Sequence, residues 1–251
     1  MKNYLSRARE WLLQEKYQGR TNSQYFNDLE RIKKGEPLDY IIGFKKFLDC
    51  HIDLSQKPFI PREETEYWTE KAIEIIKKEN TKNNLKILDI FAGSGCIGIS
   101  ILKHIPQSKV VFADKYTRSI KQIKLNIKLN KISPSRYRVI QSDVFDNIKG
   151  KFDYIFANPP YISKEKAYRV KESVLQWEPQ NALWGGKDGL FYIKKLLQQA
   201  SNYLKAQGKI FLEFDDYQKK AIEKIIKQLN YSFYVFHKDQ FKRWRWMEVI
   251  K

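Results

Sequence analysis

Four consecutive residues, Asn158-Pro159-Pro160-Tyr161, combine types with an unusual chemical potential. Two prolines supply no N–H and continue neither a helix nor a strand. Asn158, preceding a proline, is held extended. The expected product is a rigid loop presenting two acceptors, the Asn158 side-chain oxygen and the Pro159 carbonyl. Two acceptors can hold both hydrogens of one planar NH2 group. Such a nitrogen is a poor nucleophile because its lone pair is delocalised into the π-system. Two hydrogen bonds orient it and localise part of that pair toward an electrophile, so catalysis is mostly positioning for an in-line displacement. No strong base is needed beforehand, since the proton becomes acidic once the new bond forms. Tyr161 is placed to stack on the flat group and to contact a cation.

A second constellation supplies the other reactant. Gly93-Ser94-Gly95-Cys96-Ile97-Gly98 fits G-x-G-x-x-G between strand-like and helix-like segments, and Asp114 follows about 20 residues on. Glycines let the backbone turn tightly and approach a ligand without a Cβ. A carboxylate at the next strand end can accept from both ribose hydroxyls. Loop and Asp114 together indicate an adenosine-containing cofactor, without saying which. Asp89 favours S-adenosylmethionine. A carboxylate just before the loop organises it or faces, through water, the cationic amino acid part of that cofactor, and is unwelcome near a pyrophosphate. Asp143 either accepts the adenine exocyclic amine or caps a helix starting at Val144.

The elements that must carry these residues are legible as alternating patterns. Residues 85–91, 109–114, 137–140, 152–157 and 209–214 read as strands, with helices expected near 97–104, 116–130, 190–204 and 221–229. Residues 232–236 and 246–250 read as a final pair, antiparallel because only a short segment joins them. Strands alternating with helices imply a doubly wound parallel sheet, whose ligands bind beyond the carboxyl ends of the strands. Asp89 to Gly95, Asp114, Asp143 and Asn158 all fall at such ends. Upstream, residues 1–36 read as two short helices, 40–57 as a hairpin or extended linker, and 63–78 as a helix.

Composition bounds the remainder. The 251 residues are 42% hydrophobic and suffice for one α/β domain with a small appendage. Lys and Arg total 47 against 29 Asp and Glu, a formal charge of +18. The lysines spread along nearly the whole chain, which favours a lysine-rich surface over a weak attraction to nucleic acid or the ribosome. Cys50 and Cys96 make neither a disulfide framework nor a zinc pattern, His51, His104 and His237 are scattered, and no metal site is expected. No apolar run approaches a membrane span and no signal peptide is visible. Glu10 and Glu15 argue against an organelle-targeting peptide, and a reducing, cytoplasmic setting is expected.

Asn-Pro-Pro-Tyr after a glycine loop is shared by many amino-methyltransferases. Three further stretches resemble the HemK/PrmC family of peptide-chain release-factor glutamine N5-methyltransferases specifically. They are Gly35-Glu36-Pro37-Leu38-Asp39-Tyr40-Ile41-Ile42-Gly43, Ile60-Pro61-Arg62-Glu63-Glu64-Thr65-Glu66, and Trp177-Glu178-Pro179 with Ala182-Leu183 and Gly185-Gly186-Lys187-Asp188-Gly189. The resemblance runs from about residue 35 to the end. It implies a seven-stranded, Rossmann-like methyltransferase domain (61–251), a short helical substrate-recognition domain (1–39) and a hairpin linker (40–60). It places the cofactor against Phe91, Ala92, Gly93, Ser94, Gly95, Asp114, Val144 and Asn158. Asn158, Pro159, Pro160 and Tyr161 would hold the glutamine of a release factor's Gly-Gly-Gln tip, with the enzyme a monomer. The chain departs from the family at Phe91, where the first loop glycine is usual, at Glu63 for a proline, and in Glu213-Phe214-Asp215-Asp216, which lacks a glycine. Its N-terminal helical segment is about half the usual length. The rival substrates are a ribosomal-protein glutamine, against which Thr65-Glu66 speaks, and a nucleic-acid adenine at N6. The charge and the run Phe241-Lys242-Arg243-Trp244-Arg245-Trp246 favour the adenine, although that run also fits a terminal strand.

Overall fold

A computed structural model describes residues 2–79, 84–229 and 231–251. The chain opens with helices α1 (Lys2–Glu15), α2 (Ser23–Lys33) and α3 (Leu38–Ile42), whose apolar faces close on Ala8, Leu12, Tyr25, Ile32 and Ile41. Asp28 lies buried among them and accepts from Lys16, Tyr17 and Arg31, each at 2.7 Å. Burial opposes its charge, but the three donors prevail and hold its carboxyl below the usual range. Residues 40–57, expected to be extended, begin instead inside α3. Pro37 starts that turn of helix, and Gly43 stops it in the left-handed region at φ +98°. The hairpin follows, β1 (Phe44–Phe47) against β2 (Cys50–Asp53).

The rest alternates. α4 (Glu63–Glu79) leads into β3 (Leu85–Ile90), α5 (Cys96–His104), β4 (Ser108–Asp114), α6 (Thr117–Leu129) and β5 (Tyr137–Gln141). Then come β6 (Phe152–Ala157), α7 (Glu172–Trp177), α8 (Phe191–Ala200), β7 (Leu204–Glu213), α9 (Lys219–Gln228), β8 (Phe233–Lys238) and β9 (Trp244–Ile250). Seven strands form one sheet in the order β5-β4-β3-β6-β7-β9-β8, with β9 antiparallel to its neighbours β7 and β8. Successive side chains alternate between the faces of this sheet. Ile87, Phe112, Phe156 and Phe211 pack with apolar residues of α4, α5 and α6, whereas Leu88, Ile155, Ile210 and Leu212 pack with those of α8 and α9. Burial on both faces explains the near-continuous apolar runs.

The basic-aromatic segment is divided, with Phe241, Lys242 and Arg243 exposed and its end buried. Trp246 is buried in β9 with its ring stacked 4.0 Å from His237, and Arg245 is buried with Nε 3.2 Å from Asp239. Chain order reverses where β3 lies between β4 and β6, which opens a crevice beyond their carboxyl ends. Polar side chains of α6 fasten the hairpin there. Asn126 accepts from the Asp53 N–H at 2.8 Å and donates to the Ser94 carbonyl at 2.9 Å, tying the hairpin to the glycine loop.

Candidate active site

The loop after β3 begins with Phe91 at φ +61°. A side chain in that left-handed region costs about 1–2 kcal/mol, and the ring is held edge-on to Tyr192 at a centroid distance of 5.6 Å. Phe91, Ala92, Gly93 and Ser94 line a cavity over the strand ends, while Gly95, at φ +80°, caps α5 just behind it. Asp114 lines the same cavity. Its Oδ2 accepts the Gly93 N–H at 2.9 Å and its Oδ1 the Tyr116 N–H at 3.0 Å. The Ser119 side chain and the Lys115 N–H are directed at the same carboxylate. Burial raises its pKa, and the backbone donors oppose that shift.

Asp89 takes the first of its two anticipated roles. It has no exposed surface and is not among the residues lining the cavity. Its Oδ2 accepts the Gly98 N–H at 2.9 Å, so it organises the loop from behind, while Oδ1 has no partner among the described residues. Burial pushes its carboxyl up to about pKa 7. Asp143 is on the cavity wall. No helix starts at Val144, because residues 144–147 form a turn, so the capping alternative falls away. Asp143 instead pairs with Lys115 at 2.8 Å and Lys195 at 3.1 Å. Lys115, aided by Lys195, holds its carboxyl below the usual range against the effect of burial. Val144 is buried at φ +54°, an outlier for a β-branched residue. Ser142 Oγ, bonded to the Val144 carbonyl at 2.9 Å and to the Asn147 N–H at 3.0 Å, keeps it there. Such strain concentrates at ligand-binding positions.

Asn158, Pro159, Pro160 and Tyr161 close the cavity at the end of β6. Asn158 Nδ2 donates to Thr65 Oγ1 at 3.2 Å, and Thr65 Oγ1 donates to Glu213 Oε2 at 2.7 Å. The Tyr161 hydroxyl donates to Glu213 Oε1 at 2.8 Å. Burial, with Glu213 beside it, raises the Tyr161 pKa well above normal, and burial raises that of Glu213. The loop is held from outside by the glycine-rich stretch. Gly189 is at φ +78°, and a Cβ there would lie 2.3 Å from the Tyr161 carbonyl oxygen; one on Gly185 would lie 2.6 Å from that of Pro160. Only glycine permits this approach.

Sequence comparison fits this geometry. Residues 69–183 match the family model of the methyltransferase small domain. The release factor glutamine methyltransferase of Lactococcus lactis is 35% identical over 88% of this chain and 79% of its own length. That of Thermodesulfovibrio yellowstonii is 37% identical over 78% of this chain and 70% of its own. The chain belongs to the release factor glutamine methyltransferase family. A methyltransferase of known structure from Pyrococcus furiosus shares the fold, with a TM-score of 0.59 and 21% identity over 89% of this chain and 97% of that one.

In this member of the release factor glutamine methyltransferase family, the three distinctive stretches meet beside the cavity. Arg62 pairs with Glu178 at 2.5 Å, and Glu178 also accepts the Ile60 N–H at 3.1 Å. The Tyr40 hydroxyl donates to the Pro58 carbonyl, and Glu36 pairs with Lys57 at 3.3 Å. A second groove, lined in part by Trp11, Leu38, Arg62, Lys166 and Arg243, reaches from the N-terminal helices to Tyr161. Thr65, Tyr116 and Tyr192 also line the cavity, and Glu213 backs it, although sequence reasoning gave none of them a place in the site. Tyr116 stands two residues past Asp114, a weak local cue. Glu213, a carboxylate in an apolar strand, is the stronger one.

Proposed function

We propose that this enzyme transfers a methyl group from S-adenosylmethionine to the side-chain amide nitrogen of the glutamine in the Gly-Gly-Gln motif of a peptide-chain release factor. The single observation carrying the reading is Asn158 on the cavity wall beside two prolines. Its amide hydrogens face Thr65, which leaves Oδ1 as the acceptor available to a substrate NH2. The names of the relatives at 35% and 37% identity support the choice of substrate. The groove from the N-terminal helices to Tyr161 suits a macromolecular partner, with the helices engaging the release factor. Arg245 and Trp246 are buried and do not face a nucleic acid, whereas Phe241, Lys242 and Arg243 stay exposed.

The donor set fits the cofactor. Asp114 is the carboxylate that would accept from the ribose hydroxyls, Phe91 and Tyr192 give apolar flanks for a purine, and Asp143 and Val144 line the same cavity. When bound, S-adenosylmethionine supplies an electrophilic methyl on a sulfonium. Asn158 Oδ1 and the Pro159 carbonyl orient the amide nitrogen, and the prolines keep that geometry fixed. Positioning of this kind acts in place of a strong base.

Asn158→Ala is expected to fold, to bind S-adenosylmethionine nearly as well, and to lose roughly 10² to 10³ in turnover, the scale for one preorganised polar group. Asn158→Asp keeps the acceptor oxygen and should retain a measurable fraction. Near-wild-type transfer by the alanine variant to a release factor would overturn the assignment of the site.

A further inference from the structure

We infer that Thr65 and Glu213 are positioning residues that set the direction of a hydrogen-bond chain, and thereby aim the Asn158 carbonyl oxygen at the substrate amide. The inference rests on the function proposed above. An asparagine side chain is nearly symmetric in shape, and its oxygen and nitrogen exchange places on a flip of the terminal torsion. For Asn158 that flip is decisive. With Oδ1 toward the cavity the residue accepts from a substrate NH2. With Nδ2 there it would repel one.

The surroundings settle the choice. Thr65 Oγ1 has one proton, and Glu213 Oε2 takes it at 2.7 Å. What faces the remaining lone pairs of Thr65 must therefore be a donor, and Asn158 Nδ2 fills that place at 3.2 Å. Thr65 is 2% exposed and Glu213 1%, so water does not compete for either group. The chain also withstands protonation of Glu213. The Trp68 indole N–H is a donor with no acceptor capacity, and it too is directed at Oε2. A proton on Glu213 would consequently reside on Oε1, where the Tyr161 hydroxyl can turn from donor to acceptor. Oε2 stays an acceptor in both states, and the direction from Asn158 through Thr65 is kept. The same carboxylate thus holds two points of the catalytic loop, Asn158 through Thr65 and Tyr161 directly. These contacts link α4, the β6 loop and the end of β7.

The test is a double-mutant cycle on the full chain with labelled S-adenosylmethionine and a release factor. Thr65→Val removes the hydroxyl at constant shape, and its kcat should fall about ten- to a hundredfold, the range for losing a partner that orients a working side chain. KM for the release factor should move much less, and S-adenosylmethionine affinity should hold. Thr65→Ser restores the hydroxyl and should recover most of the rate. In the Asn158→Ala background Thr65→Val should cost less than about twofold, because nothing remains to aim. An equal loss in both backgrounds, or no rescue by serine, would overturn the inference. If Thr65→Val does not fold, the serine variant and Glu213→Leu carry the test: serine must stay near wild type, and Glu213→Leu, which leaves no acceptor for Thr65, must lose more kcat with Asn158 present than in the Asn158→Ala background. Absence of label in the release factor with the unmodified enzyme refutes the substrate reading instead. The chain is then read from the Asn158 side-chain NH2 resonances in 15N-labelled protein, which must shift in Thr65→Val; unchanged resonances overturn it.

Discussion

Removing the Asp114 carboxylate separates two effects that the structure superposes. Asp114→Ala deletes an acceptor for cofactor hydroxyls and also strands the Gly93 and Tyr116 N–H groups, now held at 2.9 and 3.0 Å. Losing a hydrogen bond to a charged acceptor costs about 1.5–3 kcal/mol, which is roughly ten- to a hundredfold in Kd. Each stranded N–H costs on the order of 1–3 kcal/mol of stability, less whatever is regained because a buried charge no longer has to be desolvated. The free variant should therefore unfold several degrees lower, at roughly 2–4 °C per kcal/mol for a chain of this size. Calorimetry with S-adenosylhomocysteine and with 5′-methylthioadenosine, which shares the ribose but lacks the amino acid, isolates the first effect. The two ligands should weaken by the same factor. Unchanged affinity for both would refute the ribose role, and a loss confined to S-adenosylhomocysteine would move Asp114 to the amino acid end.

Other consequences are checked as directly. Asp89 is protonated more readily folded than unfolded, with its carboxyl near pKa 7 against an ordinary value near 4. The folded state therefore binds more protons across that window, and its stability falls as pH rises from about 4 to 7. Asp89→Asn should lose that dependence, gaining on the order of a few kcal/mol relative to wild type by pH 7; parallel denaturation curves at both pH values would contradict this. Gly189→Ala forces a Cβ to 2.3 Å from the Tyr161 carbonyl oxygen at a positive φ, so it should cost several kcal/mol and abolish transfer with the catalytic loop displaced; a fully active, equally stable variant would show that the contact is slack. The +18 charge should serve solubility or encounter and not the chemistry, so added salt should leave kcat unchanged; a steep fall in kcat with the fold intact would refute that.

The sheet was readable because its strands are buried on both faces and hence apolar throughout. Strand β6 spans the anticipated residues 152–157, and β3 ends one residue early, at Ile90. The start of β7 was hidden, because Leu204 is followed by Lys205, Ala206 and Gln207, a polar extension without alternation. Helices α3 and α7, at 5 and 6 residues, are too short to show a period. Within the site, Asp114 and Asn158 announced themselves through strand-end position and an unusual tetrapeptide. Glu213 left only the cue of a carboxylate in an apolar strand, and Thr65 left none, since their bonds join residues 93 and 148 apart in the chain and a buried threonine carries no local mark. The strained φ of Val144 was equally silent, because valine is not a residue from which a left-handed turn would be read.

The central claim is that this chain methylates a glutamine amide on a release factor. Incubating it with labelled S-adenosylmethionine and a mixture of release factor, ribosomal proteins and nucleic acid, then locating the label by mass spectrometry, tests that claim without assuming the substrate. One methyl group on the glutamine of the Gly-Gly-Gln motif, absent when Asn158→Ala replaces the enzyme, is the predicted result. Label on a ribosomal-protein glutamine or an adenine, with the release factor unmodified, would contradict it.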